Sequence, residues 1–207
     1  MTGIFDWANL DNLQPEPITV EIWRKLPEEF CRRVEVVNGS ALRCEEPSRA
    51  HQKAARQVTN MIEEAARNHM RANPEDCLDV SGDFDVVLWE VPRTTIRSPD
   101  AALFECAPND VRPLPARYVK VIVEVVSPGT AKTDRVEKMA EYAAAGIPWY
   151  WIVTLGDNAV NGIEVHVLDH QTGAYKFVRE LQPGEGAAVD VPIRVRIDWD
   201  RLTGLVL

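Results

Sequence analysis

Long hydrophobic runs are missing from this chain of 207 residues. Its longest uncharged apolar stretches reach about ten residues, where a membrane-spanning helix needs about 20. No basic start followed by an apolar run marks a secretory signal, so the expected compartment is the cytoplasm and no membrane partner is expected. Paired cysteines are missing too. Cys31, Cys44, Cys77 and Cys106 stand without CxxC spacing, which argues against a zinc framework and leaves reduced, mostly buried thiols as the expectation. A basic excess is absent: 23 Lys and Arg face 32 Asp and Glu, for a net charge of -9. That balance argues against a protein that coats nucleic acid non-specifically, while leaving room for a local basic groove. There is no internal repeat and no low-complexity segment. No GxxxxGK loop is present to cradle a nucleoside triphosphate.

What remains is a globular composition, 45% hydrophobic and 27% charged, long enough for one domain with a real core. Residues 1–17, with Asp11, Asn12, Pro15 and Pro17, read as a loose arm, and 18–207 as a single domain. Ile18 to Phe30 suggests one short amphipathic helix capped by Thr19, with Ile22, Trp23, Leu26 and Phe30 on one side. Arg33 to Val37 reads as a strand, Asn38-Gly39 as a hairpin turn and Ala41 to Cys44 as the return. Ser48 caps a long helix to about Arg71 with an apolar stripe of Ala54, Ala55, Val58, Ile62, Ala65 and Ala66.

Strands are expected over Asp83–Trp89, within Thr95–Phe104, and over Tyr118–Val126, whose near-continuous apolar run suits the middle of a sheet. A helix over Ala131–Ala145, with Val136, Met139, Ala140 and Ala143 inward, and a strand over Trp149–Val153 complete a crossover unit. Further strands fall at Gly162–Leu168, Tyr175–Arg179 and Val191–Ile197. The Trp149-Tyr150-Trp151 cluster serves either core packing or a face for a homodimer. The fold class is α+β, with one mixed sheet and helices.

Chemistry concentrates on carboxylates. Glu124 interrupts the run Val121-Ile122-Val123 and Val125-Val126, and a carboxylate in a buried strand is costly unless paired, hydrogen-bonded or bound to a cation. Asp100 follows Pro99 on a neighbouring strand. A Mg²⁺ (or Mn²⁺) ion takes one or two protein carboxylates, so Asp100 and Glu124 are the candidate metal ligands. Lys138, on the helix after the Glu124 strand, would supply a cation near developing charge. Asp134, four residues earlier, would pair with it or line the site mouth. Glu35 is a third candidate carboxylate. His51, one turn into the long helix, would contact a phosphate or orient a water, and Arg49 and Lys53 would support binding.

Six segments in order carry a family resemblance: VEVVNG at 34–39, PSRAH at 47–51, SPD at 98–100, VEVVSPGT at 123–130, DRVEK at 134–138 and GIPWYWIV at 146–153. Together they resemble the Uma-type restriction-endonuclease family, a bacterial domain of unknown function within the PD-(D/E)XK nuclease superfamily. The resemblance spans about Ile18 to Leu168. It implies a restriction-endonuclease-like core: a central mixed β-sheet flanked by α-helices, with the later strands added at the C-terminus. It also implies divalent-metal-dependent cleavage of DNA. Asp100 matches the motif aspartate, Glu124 the motif acidic residue, Glu35 the acidic residue of the first hairpin and His51 the histidine after the serine. The superfamily lysine would fall at Val126. In the resembled family its role moves to the following helix, here Lys138.

Two other functions stay open at this stage. One is a non-catalytic member that binds nucleic acid or protein, favoured by Val126 and the acidic charge. The other is a hydrolase of small phosphorylated molecules. The charge is unevenly spread: residues 48–72 hold five basic and two acidic side chains, and residues 112–138 six and three. Both segments are expected beside the carboxylates.

Overall fold

The computed structural model describes residues 8–9, 14–82, 84–108, 110–126, 133–185 and 188–205. Most of the expected arm, the Ser127–Thr130 turn and the first residues of the helix expected from Ala131 lie outside the described residues.

The chain runs from β1 (Ala8–Asn9) and β2 (Gln14–Pro15) into α1 (Val20–Trp23), α2 (Glu28–Cys31), β3 (Val34–Val37), β4 (Ser40–Arg43) and α3 (Arg49–Ala72). Then come β5 (Leu78–Ser81), β6 (Val86–Trp89), β7 (Thr95–Arg97), β8 (Ala101–Glu105), β9 (Leu114–Pro115) and β10 (Val119–Val126). A π-helical turn over Thr133–Lys138 leads into α4 (Met139–Ala144). After it follow β11 (Trp149–Leu155), β12 (Val160–Asp169), β13 (Ala174–Leu181), β14 (Ala188–Val189) and β15 (Val195–Arg196).

The central sheet has six strands in the order β13-β12-β11-β10-β8-β5. β10 and β11 are parallel, joined through α4, and their neighbours are antiparallel. The apolar sequence of β10 therefore lies mid-sheet, where both faces are covered. Its alternation decides what each face sees. Val121, Val123 and Val125 meet α3, while Ile122 and Val126 meet Tyr142 of α4 and Tyr150 of β11. Glu124 shares the second face. On the first, Ala54, Val58 and Ile62 of α3 pack against Leu103, Val123 and Trp151, each full burial of a Val or Ile contributing about 1.5–3 kcal/mol. Ser48 Oγ accepts from the His51 amide, so the cap forms as expected.

Several expectations need correction. The strands do not form one mixed sheet. A second sheet, β4-β3-β7-β6-β9, packs Val86 and Leu88 onto the α4 side of the first and Val36, Val87 and Ile96 onto Val20 and Trp23. Thr95–Phe104 is the point of division: Pro99 cannot donate to a ladder, and β7 and β8 part there into different sheets. The helix expected over Ile18–Phe30 is two single turns, because Pro27 removes a backbone donor, and Phe30 is exposed. The π turn slips the phase of the helix it precedes, leaving Val136 60% exposed and Ala140 at the surface, while Tyr142 faces inward. The strand expected over Val191–Ile197 shortens to β15.

The Asn38-Gly39 hairpin forms with both residues at positive φ. A Cβ on Gly39 would stand 2.7 Å from the Pro17 Cβ, so the turn also needs the bare backbone. Tyr150 and Trp151 are fully buried, so the aromatic cluster is core. Cys77 and Cys106 are joined by a disulfide, against the expectation of reduced thiols. They extend the β5–β8 pairing by one residue beyond Leu78–Glu105, which sets their Cα atoms 5.3 Å apart. Cys31 and Cys44 are partly exposed. Among the described residues, no helix is long and apolar enough to cross a membrane.

Candidate active site

The break between β7 and β8 delivers Asp100. β8 pairs Ala101 with Val123, so Asp100 continues its line alongside Glu124. The Val125 amide donates to Asp100 Oδ2 at 2.6 Å, and His51 Nε2 lies 2.7 Å from Asp100 Oδ1. His51 reaches it from the first turn of α3. Asp100 is thus held by a strand amide on one oxygen and an imidazole on the other.

Glu124, opposite Asp100 when the β8–β10 register is continued, points to the α4 side of β10 and is 3% exposed. Tyr142 Oη donates to its Oε1 at 2.7 Å and Lys138 Nζ to its Oε2 at 3.1 Å. Both donors come from one helical face, four residues apart. Lys138 Nζ also stands 3.7 Å from Glu35 Oε1. Arg97, 1% exposed, forks between two elements: Nη1 donates to Glu35 Oε2 and Nε to Glu141 Oε2, each at 2.6 Å. The helical segment carrying Lys138 is pinned on both sides. Arg135 pairs with Glu164 of β12 and donates to Thr154 Oγ1 of β11, while Glu141 holds Arg97.

Behind these groups, the Ser98 amide donates to Glu35 Oε1 at 3.1 Å and its hydroxyl to Asp85 Oδ1 at 2.8 Å. Trp23 Nε1 donates to Asp85 Oδ2 at 3.2 Å. Ser98 therefore anchors the approach to Asp100 between two carboxylates.

Burial and charge tune these groups. Burial opposes the charge of Arg97, but the hydrogen bond it donates to Glu141 and the charges of Glu35 and Glu141 outweigh it and raise its pKa further. Burial and then the Glu124 charge push the Tyr142 phenol well above its usual range, so it stays a neutral donor. Burial raises the Asp85 carboxyl against the Ser98 and Trp23 hydrogen bonds. The Cys44 thiol is pushed up to about 11 by burial and by Glu35.

The structure brings Glu35, Glu124 and Lys138 into one cluster and His51 and Asp100 into a second, the two joined through consecutive residues Glu124 and Val125. Arg49 and Lys53 do not join them. At about 100° per residue they lie on the side of α3 opposite His51, facing away from the sheet, so the basic stripe runs along the outside of the helix. The side chain of Asp134 lies outside the described residues. Sequence reasoning missed Arg97, Glu141, Tyr142, Ser98 and Asp85. A signal existed for two of them: Tyr142 is one helical turn after Lys138, and Arg97 is a charge inside an apolar strand end.

The donor chemistry fits a hard divalent cation. Asp100 and Glu124 offer oxygen only, and a carboxylate has about four lone-pair sites, of which the two described contacts of Asp100 use half. The Glu124 cluster holds three carboxylates against two cations among the described residues. Among the described residues, no group of three or more His, Cys, Asp or Glu is arranged to hold a metal.

Among solved structures, the fold is similar to one described as a putative nuclease belonging to DUF820 from Anabaena variabilis ATCC 29413. The TM-score is 0.60 at 15% identity, over 85% of this chain and 90% of that one. No curated protein matches the chain. The model of the Uma2 family, described as putative restriction endonuclease, matches residues 21–198, and the chain belongs to that family.

Proposed function

We propose that the protein is a Mg²⁺- or Mn²⁺-dependent endodeoxyribonuclease that hydrolyses phosphodiester bonds of DNA. The observation that carries this is the place of Lys138. Its ammonium lies 3.1 Å from the motif acidic residue Glu124, while Val126, where the superfamily lysine would fall, is buried in the core. The helix supplies the cation that position 126 lacks. Family membership supports the reaction class.

Asp100 and Glu124 would hold the ion, which when bound supplies an acidified water and a clamp on phosphate oxygens. Tyr142 orients Glu124 through Oε1, leaving its other oxygen toward Lys138. The Lys138 ammonium offsets negative charge that grows on the phosphate as the bond to the attacking oxygen forms. His51 and the Val125 amide hold Asp100 in place, one at each carboxylate oxygen.

A second function, as a nuclease-fold protein that binds without cutting, has its own support: each carboxylate of the Glu124 cluster already has a cation partner among the described residues. Nicking of supercoiled plasmid separates the two. Cleavage by the wild type with Mg²⁺ or Mn²⁺, absent in EDTA and in both Asp100→Asn and Glu124→Gln, is expected. Cleavage that persists unchanged in both variants would overturn the assignment. Salt-sensitive DNA binding without cleavage or metal binding would establish the second function instead.

A further inference from the structure

We propose that Arg97 is a positioning residue for Lys138: by occupying Glu35 and Glu141 together, it keeps the Lys138 ammonium on Glu124. Its catalytic consequence rests on the nuclease assignment; its structural consequence does not.

Lys138 stands between two carboxylates, Glu124 Oε2 at 3.1 Å and Glu35 Oε1 at 3.7 Å. The first distance is a hydrogen bond and the second is only an ion pair. Both acids are buried, so depth does not decide between them. What differs among the described partners is charge: Glu124 Oε1 takes the neutral Tyr142 hydroxyl, whereas Glu35 already holds a cation. Glu35 Oε2 takes the Arg97 guanidinium at 2.6 Å and Oε1 takes the Ser98 amide. A buried carboxylate that loses its cation must find another, and the nearest one within the described residues is Lys138. The other arm of Arg97 holds Glu141, one turn beyond Lys138, and so fixes where the helix presents that lysine. A lysine at 97 would keep the charge without the planar fork that serves two acids at once.

The test combines crystal structures with cleavage rates for Arg97→Met, Arg97→Lys and the double variant Arg97→Met/Glu35→Gln. In Arg97→Met, Lys138 Nζ is expected within 3.2 Å of Glu35 and beyond 4 Å from Glu124, hydrogen-bonding limits set by ordinary N–H···O geometry. Cleavage should fall on the order of 100-fold, the scale of losing one donor to the transition state. The double variant removes the competing charge. It should return Lys138 to Glu124 and recover at least roughly ten-fold of that loss, a coupling that independent sites would not show.

Should Arg97→Met fail to fold, Arg97→Gln, which also removes the cation, is judged by the same distances, while Arg97→Lys reports on the loss of the fork alone. Lys138 still bonded to Glu124 in the single variant would overturn the proposal. So would a double variant no more active than Arg97→Met in an enzyme whose wild type cuts. A wild type that cuts nothing would remove the nuclease assignment and leave the two distances as the test.

Discussion

Tyr142→Phe isolates one contact of the site without opening a cavity. The ring is fully buried, and its packing on Tyr150, with centroids 5.5 Å apart, survives the change. What is lost is a single O–H donor 2.7 Å from a carboxylate that is itself buried. Hydrogen bonds to charged groups contribute about 1.5–3 kcal/mol, and leaving a buried acceptor short of a donor incurs its desolvation penalty. Water has poor access to repair the loss, because neither side chain reaches the surface. For a chain of this size each kcal/mol moves the melting temperature by about 2–4 °C, so a fall of about 3–12 °C is expected.

Differential scanning calorimetry on Tyr142→Phe, Glu124→Gln and the double variant reads this directly. The two single changes should not add, since both act on the same bond, one removing its donor and the other the charge of its acceptor. A melting temperature within 1 °C of wild type, or strict additivity, would refute the claim that this bond holds Glu124. Cleavage should fall as well, because Glu124 loses one of the two donors described as orienting it.

Asp85 gives a pH signature. Burial raises its folded pKa above the ordinary 3.8, so the folded state binds more protons than the unfolded one as pH rises from about 4. Its contribution is fullest below that value and is lost as pH climbs through the folded pKa. The stability of wild type relative to Asp85→Asn should therefore shrink between pH 4 and pH 7 in urea titrations, and a difference that is constant or grows would contradict the burial argument. The Cys77–Cys106 bridge closes a separation of 29 residues, which in the chain-entropy account contributes about 3.5 kcal/mol. Replacing both cysteines by serine should lower the melting temperature accordingly, and an unchanged value would show that the β5–β8 edge holds without it.

Much of the architecture was legible because it is local. The Ser48 cap and the Ala54–Val58–Ile62 spacing define α3 from within its own turns. The β10 run places itself mid-sheet, since no half-exposed strand could carry so many apolar residues on both faces. Asn38-Gly39 sets its hairpin by two positive φ values. What escaped depends on distant partners. Arg97 reads as an ordinary charge at a strand end until Glu35, 62 residues before it, and Glu141, 44 residues after it, converge on its fork. The disulfide depends on the β5–β8 register, which no cysteine spacing encodes. The second sheet follows from where the chain leaves β7, and a periodicity of two cannot say which neighbour a strand takes. The π turn shifts which residues of α4 face inward, so a regular helical wheel misplaced Val136 and Ala140 but still placed Lys138 beside the Glu124 strand.

The proposed site requires Asp100 and Glu124 to share a divalent cation with Lys138 at hand. Anomalous diffraction from a Mn²⁺-soaked crystal tests it most directly. One strong peak is expected in contact with carboxylate oxygens of both Asp100 and Glu124, lost in Asp100→Asn. A crystal saturated with Mn²⁺ that shows no peak between those two residues would contradict it.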